Sequence, residues 1–129
     1  MATQRQLRVQ GLLRAEVSDI IRNVLQDPAV GFVTVTDAEV SVDLRHAKIF
    51  VSVYGTPEER ERTLHGLRRA AKFIRGQLAH RTELKHTPEI IFRFDPTVER
   101  AARVEELLKQ VSDTSATDPD ADTTDPDDR

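Results

Sequence analysis

The stretch Ala47-Lys48-Ile49-Phe50-Val51-Ser52-Val53-Tyr54 alternates apolar and polar side chains so regularly that it fits a half-buried β-strand, with Ala47, Ile49, Val51 and Val53 on one face. The pattern changes at Gly55. Thr56-Pro57-Glu58-Glu59 sets a hydroxyl at an N-cap, proline at the first helical position and glutamate three residues past the cap, which satisfies otherwise orphan amide donors and starts a helix. Upstream, Phe32-Val33-Thr34-Val35-Thr36 reads as a second strand, valines on one face and threonines on the other, continuing irregularly through Ala38, Val40 and Val42. A turn around Asp43-Leu44-Arg45-His46 joins the two, and an antiparallel pair is the economical arrangement.

Helical periodicity brackets this pair. Val9, Leu13, Val17, Ile20, Ile21, Val24 and Leu25 form one apolar stripe, and Asp27-Pro28 ends it because the residue before proline is pushed out of the helical region. After Thr56 the core stripe is Leu64, Leu67, Ala71, Ile74 and Leu78. Arg62, His65, Arg69 and Lys72 project on the far side, and Arg68 and Arg75 flank the stripe. Gly66 and Gly76 weaken this run, so two helices meeting at an angle, or one kinked helix, are expected with the break near Ala70, Ala71 and Lys72. Thr87-Pro88 breaks the chain. Glu89 to Phe94 reads as a third strand with Ile90, Phe92 and Phe94 inward, and Asp95-Pro96 can cap a short last helix carrying Val104, Leu107, Leu108 and Val111.

A chain of 129 residues with 38% apolar content suits one small domain, expected over residues 1–111. The net charge of −3 conceals a split, since residues 1–111 carry 18 basic and 15 acidic side chains while residues 112–129 hold seven Asp and one Arg. That segment repeats Thr-Asp-Pro-Asp and cannot bury enough apolar surface to offset its ordering entropy, so a disordered acidic tail is expected, either solubilising or mimicking RNA on a basic face. Cysteine is absent, which excludes disulfides, thiol nucleophiles and Cys-ligated zinc, and suits a reducing, cytoplasmic setting. No run approaches the roughly 20 apolar residues of a membrane span, and the acid-poor start, with Arg5, Arg8 and Arg14, reads as core helix rather than leader.

Positive charge concentrates where chemistry is otherwise thin. Arg60, Arg62, Arg68, Arg69, Lys72, Arg75, Arg81 and Lys85 lie within 26 residues whose only acids are Glu61 and Glu83, an excess that fits an ordinary solvated helix face or a surface that attracts phosphates. About six phosphate contacts would give log affinity a slope near −5 against log salt. Phe32, Phe50, Phe73, Phe92 and Phe94 lie in or beside apolar elements and are assigned to the core, leaving Tyr54 as the one exposed stacker. His80-x-x-Glu83-x-x-His86 drifts off one helix face, unlike the i, i+4 histidine pair of a zinc-binding helix. No phosphate-binding Walker loop, dinucleotide fingerprint or nucleophile elbow occurs, so neither an enzyme nor a cofactor is expected.

The order α-β-β-α-α-β resembles that of the type II KH domain, an α+β RNA-binding fold. Arg8-Val9, Glu16 to Ile21, Asp27-Pro28, Val33 to Thr36, Val40 to Leu44, Ala47 to Val53, Phe73-Ile74-Arg75 and Pro88-Glu89-Ile90, in this order, resemble the bacterial ribosome-binding factor A family over about residues 5–110. The resemblance implies a non-catalytic assembly factor that joins free or immature 30S subunits through 16S rRNA and supports late maturation and precursor-end processing. It also implies a link to growth in the cold, and other assembly factors as further partners. The family replaces the Gly-x-x-Gly loop of KH domains with an Ala-x-Gly kink, which aligns here with Ala70-Ala71-Lys72, and Ala29 stands where an arginine is usual. The nominated RNA contacts are Arg45, Lys48, Arg62, Arg68, Arg69, Lys72, Arg75, Arg81 and Lys85, on a monomer. A KH-like module for other RNAs and a protein-docking module are the alternatives.

Overall fold

A computed structural model describes the backbone of residues 1–113 and the side chains of all of these except 99, 102 and 111–113. Its elements are α1 (Gln4–Asn23), β1 (Val33–Val40), β2 (His46–Val53), α2 (Pro57–Arg69), α3 (Ala71–Arg81), β3 (Glu89–Phe94) and α4 (Pro96–Asp113). The first six follow the expected type II KH-like order. The sheet runs β1-β2-β3, with β2 antiparallel to β1 and parallel to β3. A parallel neighbour requires a crossover connection, and α2 with α3 supplies it.

The chain divides into two compact units, Met1–Asp95 and the segment from Pro96 onward. In the first, α1 packs on β1, α2 and α3 pack on β3, and α1 touches α3. The core between helices and sheet holds Leu13, Val17 and Ile20 from α1, Ile49 and Val51 from β2, Leu67, Ile74 and Leu78 from the crossover, and Phe92 from β3, all fully buried. The second unit is helix α4, 18 residues long rather than short, because residues 97–113 contain no glycine or proline and are rich in strong helix formers. It reaches two residues past the expected domain boundary. The remainder of the expected acidic tail, residues 114–129, lies outside the described residues.

One departure from simple alternation shapes the sheet. Val33 and Val35 face the core, but beyond a register shift between Val35 and Asp37 the inward residues are Ala38 and Val40. A β-bulge adds one residue to one strand and so reverses the parity of its faces, which accounts for the irregular continuation of β1. The bulge also aims Thr36 sideways: its hydroxyl donates to the Asp95 carboxylate at the end of β3, reaching past the Phe50 carbonyl on β2. Val42, outside the strand, is exposed.

The turn after β1 is closed by Ser41, whose hydroxyl oxygen accepts from the amides of Arg45 and His46 and whose hydroxyl donates to Asp43. Leu44 takes the left-handed conformation there, at φ 60°, with its side chain packed against the core. Gly55, at φ 141°, has a clear reason to be glycine. A Cβ there would lie 2.5 Å from Glu59 Oε1, the atom that accepts from the Thr56 amide in the α2 capping box.

At the end of β1, the amide and carbonyl of Val40 bind side chains of α1: Gln10 Oε1 accepts from the amide at 3.1 Å and Gln6 Nε2 donates to the carbonyl at 3.0 Å. Gln6 is buried and also completes the α1 capping box with Thr3. Removing a buried donor leaves its acceptor unsatisfied, at a cost of about 1–3 kcal/mol. Gln6→Ala is therefore expected to lower the unfolding free energy by that amount, seen as a lower urea midpoint at unchanged slope. An unchanged midpoint would show that β1 does not depend on this tether.

Candidate nucleic-acid interface

The crossover breaks at Ala70, inside the expected window. Ala70 adopts φ −86°, ψ −1°, and its amide is shared between the carbonyls of Gly66 at 3.0 Å and Leu67 at 3.1 Å. The stripe keeps its expected phase, with Leu64, Leu67, Ile74 and Leu78 buried, but at the break Ala70 is buried and Ala71 only partly so. Helix α3 begins with no side-chain cap, one residue after α2 ends, so the positive end of its backbone dipole meets the negative end of α2. Arg69 and Lys72 stand exposed on either side.

All nine nominated cations are exposed, but they differ in what they hold. Arg81 is committed within the fold, pairing with Asp19 at 2.8 Å and Glu16 at 3.0 Å and so fastening α3 to α1. Arg75 donates twice to the Thr87 carbonyl, anchoring the segment that leads into β3, and Arg68 donates to the Phe92 carbonyl at 3.3 Å. Arg69 pairs with Asp27 at 3.3 Å. Among the described residues, the side chains of Arg62, Lys72, Lys85, Arg45 and Lys48 have no such partner. These five do not form one patch. Lys48 lies on the sheet face opposite the helices, facing Glu39 across the ladder, and Arg45 and Lys85 belong to the end of the sheet where β2 and β3 begin. Arg62, Arg69 and Lys72 share the exposed side of the crossover.

A cavity of about 380 Å³ opens beside Arg62, lined also by Pro28, Gly31, Phe32, Tyr54 and Thr63. Its wall is the segment after α1, held against α2. Asp27 Oδ1 accepts from the Ala29 amide, the buried Thr63 hydroxyl oxygen accepts from the Gly31 amide at 3.2 Å, and Ala29 and Val30 fill the space a Cβ on Gly66 would need. Gly66 thus trades helix propensity for a close approach. Tyr54 is 85% exposed, as expected, but so is Phe32, at 82%; Phe73 is 45% exposed, and Phe50 is half-buried on the strand face away from Ile49 and Val51, so none of these three phenylalanines belongs to the core. Their mistaken assignment came from adjacency to apolar residues. The alternation itself carried the better signal for Phe32, because Val33 faces inward.

His80, Glu83 and His86 do not gather. Among the described residues no group of three or more histidine or acidic side chains is placed to hold a metal ion, and no helix is long and apolar enough to cross a membrane.

The sequence model of ribosome-binding factor A matches residues 5–108. The chain belongs to the ribosome-binding factor A family. A relative of that name from Halothermothrix orenii is 49% identical over 92% of this chain and 97% of its own length. Among solved structures, a Thermotoga maritima protein determined by solution NMR aligns with TM-score 0.63 and 33% identity, over 72% of this chain and 89% of its own. A Thermus thermophilus ribosome binding factor A homology model, fitted into the cryo-EM map of a 30S complex of that factor, shares the fold at TM-score 0.54 and 24% identity, over 64% of this chain and 87% of its own.

Within the ribosome-binding factor A family the kink is expected to carry glycine where this chain has Lys72. The geometry explains why lysine is accommodated. The break falls at Ala70 with negative φ, and position 72 is already helical, so no residue at the junction needs the conformations reserved for glycine.

The Arg81 clasp gives a pH signature. Hydrogen bonding from Arg81, and then from Asn23, holds the Asp19 carboxyl below its ordinary value of 3.8, and Asp19 in turn holds the Arg81 guanidinium above its usual range. A depressed carboxylate contributes stability above its unfolded pKa and loses it as pH falls through the folded value. Arg81→Met should therefore lower Tm at pH 7, and its deficit relative to the parent should shrink as pH drops below about 3.8. A deficit independent of pH would mean the clasp acts by packing alone.

Proposed function

We propose that this chain is a non-catalytic, cytoplasmic small-subunit assembly factor, acting as a monomer, that binds free or immature 30S subunits through 16S rRNA and supports late maturation and precursor-end processing. The observation that carries the reading is the cationic crossover surface formed by exposed Arg62, Arg69 and Lys72. Clustered cations exposed to solvent attract a phosphate chain. Membership of the ribosome-binding factor A family supports rRNA as the source of those phosphates, as does the 30S complex formed by the Thermus thermophilus factor of the same fold.

Arg75 and Arg68 add charge while spending their hydrogen bonds on the fold, and Arg81 acts chiefly as a clasp. Arg45, Lys48 and Lys85 would reach RNA only where the subunit wraps beyond the helix layer. Holding immature rRNA in this way would favour one conformation over its competitors by the difference in affinity for the two.

The test is cosedimentation with free 30S subunits, 50S subunits and intact ribosomes across a salt series. Selective, salt-sensitive association with free 30S subunits is expected. The double variant Arg69→Glu, Lys72→Glu should bind more weakly and flatten the log–log salt slope by roughly 1.4 to 1.8, two lost contacts at 0.7 to 0.9 each. Its fold should persist, since an exposed pair such as Arg69–Asp27 contributes at most about 1 kcal/mol. Association indifferent to salt and to both reversals would refute the phosphate surface and favour a protein contact.

A further inference from the structure

We infer that the cavity bounded by Phe32 and Tyr54 is a binding site for one unpaired RNA base, so that the chain grips a single-stranded nucleotide in addition to phosphates. The inference rests on the rRNA-binding reading and deepens it.

Phe32 and Tyr54 stand opposite each other at the strand ends. The Tyr54 amide donates to the Phe32 carbonyl at 3.2 Å, one rung beyond the Val33–Val53 pair that ends the β1–β2 ladder. Phe32 and Tyr54 lie just beyond the strand ends, and both line the cavity together with Glu59 and Arg62 of α2. Both rings are over four-fifths exposed. Two large aromatic side chains left in water lose favourable burial unless a partner covers them, and here they edge a cavity of about 380 Å³, within the roughly 300–1,000 Å³ of small-ligand sites.

The other walls favour a nucleotide over an apolar partner. Arg62 lines the cavity and, among the described residues, its guanidinium has no hydrogen-bonding or ionic partner. Glu59 lines it too, with Oε1 engaged in the capping box, which leaves its other oxygen to accept from an amino or imino group on a base. The walls are pinned by the Thr63 and Asp27 hydrogen bonds and by the Gly55 backbone, so little ordering is needed on binding. Arg62 and Arg69 are seven residues apart on α2, about 10.5 Å along its axis. A strand whose base entered the cavity would thus continue onto the proposed phosphate surface.

Tyr54 is the chain's only tyrosine and tryptophan is absent, so intrinsic emission reports this ring alone. The full chain is titrated with a six-nucleotide single-stranded RNA and with its abasic counterpart of equal charge, while labelled forms give affinities by anisotropy. The base-bearing RNA is expected to quench the emission and bind about tenfold tighter than the abasic one. Tyr54→Leu or Phe32→Leu should remove that advantage while keeping the salt slope, and Lys72→Glu should reduce the slope for both RNAs alike. Equal affinities with unquenched emission would overturn the base site and leave the phosphate surface standing. If Tyr54→Leu weakens 30S association while the base-bearing RNA leaves the emission of the parent chain unquenched, the cavity docks a ribosomal protein instead. Absence of affinity for either RNA, with 30S binding indifferent to Lys72→Glu, would overturn the underlying rRNA reading as well.

Discussion

The parallel pairing of β2 with β3 is the constraint on which the rest of the structure depends. Ile49 and Phe92 stand opposite each other in that ladder, both fully buried, at the centre of the core. Two parallel neighbours must be joined by a chain that leaves one end of the sheet and returns at the other. Residues 54–88 make that journey as α2 and α3. The same residues carry the dense run of cations, so the apolar stripe that satisfies the sheet turns arginine and lysine toward water along the crossover. A surface that can attract phosphates is thereby a consequence of closing the fold.

The bulge at Thr36 does comparable work for β1. By reversing the parity of the strand it lets Val33 and Val35 face the core before it and Ala38 and Val40 after it. Phe32 and Tyr54 follow at the strand ends, exposed beside the cavity. Thr36 meanwhile ties β1 to Asp95 across β2, and Gln6 and Gln10 bind the strand's other end. The aromatic pair and its cavity are therefore held by contacts well outside the cavity itself.

Charge in the helix layer is sorted by geometry rather than by residue type. Arg81 and Arg75 lie where acceptors from α1 and from the segment before β3 come within reach, and they are drawn into the fold. Among the described residues, Lys72 and Arg62 face no such acceptor. Nothing in the spacing of the basic run separates these groups, because the acceptors come from Glu16, Asp19 and Thr87, residues 12 to 65 positions away.

By itself the sequence determined what depends on near neighbours: the two strand faces around Ala47–Val53, the Thr56 capping box, the break near Ala70, the KH-like α-β-β-α-α-β order, and the residue pattern that places the chain in the ribosome-binding factor A family. Periodicity and capping are local, acting over one or two turns, so they survive being read along a line. Only the tertiary structure decided which cations are spent and which are free, that Phe32 joins Tyr54 outside the core, and that Gly66 and Thr63 hold the segment after α1 against α2. Each of these depends on groups that are distant in sequence and become neighbours only when the sheet closes, and a hydrogen bond or an ion pair requires contact in space.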